Sequence, residues 1–210
     1  MSYKKHIILI ILLASAAYAG TLRNGFIGDD HILFEDNNFY KDKHNLSRLF
    51  KKDFVTSFDD IDPALTSQKK SFSGCVAYRP VVALSFFLDS FLWKNNTAGY
   101  HFTNIFLHAL TSVCVFFFIV AFAVPESLAF TAAALFAVHP IHAEVVNCIG
   151  YRSDLLSMLF YLLAFLMYIK RYTSSAPGKQ LALSLFFFCL ALLAKESVAP
   201  YGAGGILNIQ

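Results

Sequence analysis

Charge is scarce in this sequence, and most of it gathers in one place. Only 15% of the 210 residues are Asp, Glu, Lys or Arg, against about 25% in soluble domains, which excludes an ordinary soluble globule and points to an integral membrane protein. Residues 23–100 hold ten basic and ten acidic side chains, leaving seven and four for the rest. The net charge of +3 therefore forms no basic patch with interleaved aromatics, and no nucleic-acid partner is implied. Cysteine is rare too. Cys75, Cys114, Cys148 and Cys189 show no C-x-x-C spacing and three sit in or beside apolar runs, so they read as packing residues rather than a metal site or disulfide framework. A Walker loop and a G-x-S-x-G elbow are missing, which argues against cytosolic nucleotide chemistry. No 34-residue repeat is present either.

What the chain does have is apolar runs. Residues 1–22 begin with Lys4 and Lys5 and continue as a hydrophobic run ending in Ala17-Tyr18-Ala19, which suits a retained first helix or a cleaved signal. We favour the helix. Residues 105–124, 128–138, 155–169 and 181–194 supply four further runs, so residues 101–199 read as a four-helix membrane part. The expected fold is all-α and polytopic, with about five transmembrane helices and a long first outer loop at 23–100. In that loop residues 78–93 carry helical apolar spacing behind Pro80, with Asp89 the only charge after Arg79, and read as a helix lying along the membrane surface. Residues 200–210 form an atypical glycine-rich tail.

With the basic flank of the first segment in the cytoplasm, the count of spans puts Lys170, Arg171 and Lys179 there as well, as the positive-inside rule asks. The same count gathers Asp29, Asp30, Arg79, His101, His139, His142, Glu144, Arg152, Asp154, Lys195 and Glu196 at the other face, lumenal or periplasmic. Ionisable groups beside spans mark a site or a water-filled cavity. Asp29 and Asp30 follow the first apolar run so closely that, at about 3.3 Å per residue, they lie within roughly 25 Å of its end. Adjacent carboxylates repel, which suits one of them to proton transfer or to orienting an acceptor.

Other constellations keep two readings each. His101, Asn104 and His108 are spaced i, i+3, i+7 and share one helix face, either lining a cavity or hydrogen-bonding neighbouring helices. His139-Pro140-Ile141-His142-Ala143-Glu144 lacks the HExxH order, and Pro140 breaks the register a helical metal site needs. It reads as a helix end turning polar groups toward the outer face. Arg79 and Arg152 each offer a planar fork suited to phosphate, or serve as interfacial anchors. Asp154 suits a helix N-terminus. Lys195-Glu196 closes the last run, with a structural ion pair as its plainer reading.

Taken in order, Asn24-x-Phe26-x-x-Asp29-Asp30, Tyr78-Arg79-Pro80, His101-Phe-Thr-Asn104 with His108, His139-Pro-Ile-His142-Ala-Glu144, Tyr151-Arg152-Ser-Asp154 and Lys195-Glu196 resemble the N-terminal membrane half of the TMTC-like O-mannosyltransferases, of the GT-C glycosyltransferase class. The resemblance covers about residues 20–200. It implies transfer of a sugar, mannose, from a polyprenyl-phosphate-linked donor to a protein or glycan acceptor, in the bacterial inner membrane or the endoplasmic reticulum. It also implies that Asp29 or Asp30 acts on the acceptor hydroxyl. Arg79 and Arg152 are our own assignment for the donor phosphate, with His101, Asn104, His108, His139, His142, Glu144, Asp154, Lys195 and Glu196 as further substrate-binding candidates. No cofactor is implied, a divalent metal at the histidines being the one left open. Enzymes of this class have about ten spans or more, so five imply a fragment, or a piece that a second subunit completes.

Overall fold

In the computed structural model, residues 3–27, 30–31, 34, 39–49 and 78–198 are described. Asp29, Cys75 and the tail expected at 200–210 lie outside them. Helix α1 (Lys4–Tyr18) runs on into a 3-10 turn, Ala19–Arg23, and is followed by α2 (Pro80–Trp93), α3 (Thr97–Val120), α4 (Glu126–Val138), α5 (Ala143–Asn147), α6 (Arg152–Lys170) and α7 (Pro177–Ala194). Among the described residues there is no strand. Four helical stretches are long and apolar enough to cross a membrane: Lys4–Arg23, Thr97–Val120, Ile149–Lys170 and Pro177–Ala194. A fifth span is made if Glu126–Val138 and Pro140–Asn147, bent by 43° at their junction, count as one. The all-α polytopic fold is therefore the one expected.

Helix α3 is the axis, with α1 and α4 packed on one side and α6 on another. Helix α7 lies along α6. Against α3, helices α1 and α4 close around small side chains: Ile10, Ala14, Ala109, Ala129, Ala133 and Ala137 form one buried cluster with Phe116. Alanines four apart on α4 leave no side chain to hold the backbones apart, which is how helices associate where lipid offers no hydrophobic drive. On the α6 side the filling is bulkier, with Cys114, Leu159 and Leu162. Cys114 is thus a packing residue as expected, whereas Cys189 is exposed on α7.

Helix α3 starts eight residues before the apolar run that marks it, because His101 and Asn104 are helical, buried and turned inward. Helix α2, 14 residues long, spans roughly 21 Å at 1.5 Å per residue, too short for a hydrocarbon core of about 30 Å. Pro80 takes its first position, where a missing N–H costs nothing. Its inner face, Val82, Ala83, Phe86 and Phe87, joins Phe34, Phe39, Tyr40, Leu49, Tyr100, Ile149, Leu156 and Ala194 in a cluster capping one end of the bundle. The Phe34 and Phe86 rings meet edge to face at 4.7 Å, a geometry worth about 0.5–1.5 kcal/mol beyond area burial. The α2–α3 corner depends on Gly99, whose site is so close to the Trp93 side chain that an added Cβ would collide with it. Gly99→Ala is expected to cost about 1–3 kcal/mol of stability by overpacking, read as a lowered midpoint of thermal unfolding in detergent.

The helices alternate in direction. Tyr3, just before α1, and His6 on it meet Phe116, Phe117 and Glu126 at one end, and the Tyr18 hydroxyl donates to the His139 carbonyl, 2.8 Å away, at the other. That second end, where α1, α4 and α7 finish and α3 and α6 begin, carries the described members of the set expected at the outer face.

Candidate active site

Asp30 is 1% exposed. Its Oδ1 accepts from the Gly150 N–H at 2.7 Å and its Oδ2 from the Ile149 N–H at 3.1 Å. These are the first N–H groups of the 3-10 turn Ile149–Tyr151 that leads straight into α6, so the carboxylate caps donors that a helix start leaves without partners. Burial pushes the Asp30 carboxyl above its ordinary value, with the Ile149 and Gly150 hydrogen bonds and the nearby His101 opposing the shift. Both oxygens are engaged, so this side chain is a clamp between the segment after α1 and the start of α6. Asp29, next to it, lies outside the described residues.

The α3 stripe is engaged with carbonyls on its neighbours. His101 Nε2 stands 3.3 Å from the Gly25 carbonyl. Asn104 donates to the Val146 and Cys148 carbonyls at 3.3 and 3.2 Å. His108 Nε2 reaches the Ala137 carbonyl at 3.0 Å. That carbonyl would ordinarily accept from Ile141, but the chain turns at Pro140 and the Ile141 N–H bonds the His139 ring instead. His108 thus satisfies a carbonyl that the α4 break frees, as irregular backbone at membrane depth requires. The His142 ring packs on Phe136 and His108, with centroids 4.4 and 5.2 Å away. His139 and Glu144 stay exposed. Among the described residues no three His, Cys, Asp or Glu side chains are grouped to hold a metal.

Arg152 is fully buried and its fork is occupied. It pairs with Asp89 at 2.6 Å, donates from Nε to Asn104 Oδ1 at 2.8 Å and from Nη2 to the Tyr100 carbonyl at 3.2 Å, and lies 4.8 Å over the Phe86 ring. Nη1 faces the Ser85 carbonyl at 3.4 Å. Asp89 Oδ1 also accepts from the Thr103 hydroxyl at 2.8 Å. Burial raises the Asp89 carboxyl above its ordinary value, and the Arg152 charge and the Thr103 bond oppose it. Sequence reading passed over Asp89, although a lone carboxylate in an apolar helix was itself a sign that a cation must meet it. The hub joins α2, α3 and α6 directly behind the turn that Asp30 clamps.

Arg79 differs from Arg152. It sits at the rim, where Nη2 and Nε bond the two Glu196 carboxylate oxygens at 2.9 and 3.2 Å, and Nη1 lies 3.5 Å from Ser153 Oγ. Lys195 pairs with Asp154 beside it. The start of α2, the start of α6 and the end of α7 thus share one ionic rim. The hydrogen bonds from Arg79 hold the Glu196 carboxyl below the usual glutamate value. Because the folded value is the lower one, the pair's small contribution is complete above the ordinary range near pH 4.3 and is lost as pH falls through the depressed value. Arg79→Gln is expected to return Glu196 to that ordinary range, measured by carbon-13 NMR titration of its carboxyl.

One end of the bundle therefore assembles a clamped carboxylate, a buried Arg–Asp hub and a half-buried Arg at an exposed rim. Against known proteins, the chain is 34% identical to human protein O-mannosyl-transferase TMTC3 over 197 residues, 91% of this chain and 20% of that protein. It is 33% identical to Tmtc1 of Drosophila melanogaster over 186 residues, 88% of this chain and 20% of that one. The chain is a relative of the TMTC protein O-mannosyl-transferases. Another relative, F38B6.6 of Caenorhabditis elegans, is 31% identical over 177 residues, 79% of this chain and 23% of that protein. The chain spans about a fifth of the length of the TMTC relatives it matches. No family model matches it, and no solved structure does.

Proposed function

We propose that the chain forms part of a membrane glycosyltransferase that moves mannose from a polyprenyl-phosphate donor to a Ser or Thr hydroxyl of a protein, at the lumenal or periplasmic face. The observation that carries it is that the Asp30 clamp and the Arg79 rim both lie at the start of α6, at one end of the bundle. The likeness to proteins named protein O-mannosyl-transferases supports the same reading. In this reaction the acceptor hydroxyl gives its proton to a carboxylate while its oxygen attacks the anomeric carbon. The bond from that carbon to the phosphate oxygen breaks, and polyprenyl phosphate leaves with the electron pair. Asp30 is occupied by two backbone N–H groups, so we assign the proton to Asp29 and give Asp30 the task of placing it. Arg79 faces the leaving phosphate and stabilises its growing charge. Arg152 acts through the hub.

The test is transfer of radiolabelled mannose from polyprenyl-phosphate mannose to a Ser/Thr peptide by membranes that contain the protein. Transfer above empty membranes is the expected result, and its absence while the protein is present and folded counts against the reading. A second reading, a non-catalytic membrane subunit, is favoured by one observation: Arg152, Asn104 and His108 all have their donors engaged within the protein. It predicts transfer only when a partner chain is present.

A further inference from the structure

The ion pair between Arg79 and Glu196 is unequal. Arg79 has 18% of its side chain exposed and Glu196 has 64%. Arg79 is pinned: it immediately precedes Pro80 at the start of α2, and its Nη1 faces Ser153 Oγ on α6. Glu196 opens a three-residue turn, Glu196–Val198, two residues beyond the end of α7, and reaches back to the guanidinium from 117 residues away in sequence. The contact is two-pronged, Nε to Oε2 and Nη2 to Oε1, which is how a guanidinium grips either a carboxylate or a phosphate. Exposed pairs of this kind are weak and easily exchanged. A fixed fork at the rim is thus held by a solvent-facing carboxylate.

We infer that Glu196 is an internal stand-in for the prenyl-linked phosphate: in the unloaded protein its carboxylate holds the Arg79 fork, and the phosphate of a prenyl lipid, a diester in the sugar donor and a monoester in the departing product, displaces it on binding. This rests on the assignment of Arg79 to the donor. Glu196 keeps the cation paired while the site is empty, and its occupancy of the fork reduces the apparent affinity by the fraction of protein in which the fork is taken.

The experiment titrates geranylgeranyl phosphate into the 210-residue chain in detergent micelles, reading the dissociation constant by phosphorus-31 NMR, with inorganic phosphate in parallel. Glu196→Gln is expected to tighten prenyl-phosphate binding about two- to fivefold, the range an exposed pair supports. Glu196→Asp keeps the charge but withdraws the carboxylate from the fork, and is expected to tighten binding nearly as much. A gain in Glu196→Gln alone would reflect lost repulsion and overturn the exchange, as would no gain in either. Arg79→Gln is expected to weaken binding at least tenfold. If it does so while the Glu196 variants behave as the parent, the stand-in falls and the donor site stands. If Arg79→Gln binds like the parent, the phosphate lies elsewhere and both readings fail together. Inorganic phosphate is expected to bind far more weakly, and equal affinity would mean a site for the free ion and would overturn the proposal.

Discussion

Replacing Asp89 by alanine is expected to destabilise the bundle by about 3–5 kcal/mol, the cost of leaving a buried charge without its partner. Arg152 is 0% exposed, and its remaining contacts, Asn104, Ser85, the Tyr100 carbonyl and the Phe86 ring, supply no negative charge. Asp89→Asn is expected to lose most of the same amount, since the amide keeps the shape but not the charge. Arg152→Lys fares little better, because one ammonium cannot reach Asn104, Tyr100 and Asp89 as the planar fork does. The paired change Asp89→Leu with Arg152→Met is the informative control. Hydrophobic replacement of a buried ion pair is often neutral or stabilising, so the double variant is expected to be more stable than either single one. Unfolding midpoints in detergent for the parent, Asp89→Leu, Arg152→Met and the double variant give the coupling between the two sites. Single variants within about 1 kcal/mol of the parent would mean that water reaches the pair and that the hub is no hub.

The contrast between Arg79 and Arg152 marks where the sequence was legible. Apolar runs separated by Pro125, Pro140 and Pro177 locate the helices, and Pro140 correctly ends the third run, because those signals are local: run length, periodicity and a missing N–H. Helix α3 reaches further back than its apolar run, since polar residues on a buried helix face lower the hydropathy without ending the helix. The gathering of charges at one end also followed from counting spans. What each charge does there was not legible. Nothing in the chain's order says that Asp89 meets Arg152, that Asp30 reaches Ile149 and Gly150, or that Arg79 meets Glu196 rather than Asp154. Two arginines looked interchangeable as phosphate ligands until packing separated them. One is enclosed by α2, α3 and α6 with its donors engaged, and the other is at the rim with an exposed partner.

Of the two adjacent carboxylates, Asp30 is tied to the backbone at the start of α6, and the proposed reaction predicts different failures for the two. Asp29→Asn is expected to lower mannosyl transfer by about 10²–10⁴-fold, the usual worth of a positioned general base, while leaving the unfolding midpoint where it was. Asp30→Asn is expected to lower stability as well. Its oxygens each take one backbone N–H. An asparagine offers a single oxygen, and its amide would face the second N–H donor to donor. Hydrogen bonds to a charged group contribute about 1.5–3 kcal/mol, and losing one frees the turn Ile149–Tyr151 on which α6 begins. A shift of that turn moves Asp29's neighbour, so transfer falls indirectly. Substrate dependence tells the two apart. Loss of the base lowers kcat and kcat/KM together, whereas a displaced but intact base leaves residual turnover that lower temperature partly restores as the turn settles. If Asp30→Asn instead abolishes transfer at unchanged stability while Asp29→Asn stays active, then Asp30 is the base, and its bonds to Ile149 and Gly150 must open when the acceptor arrives.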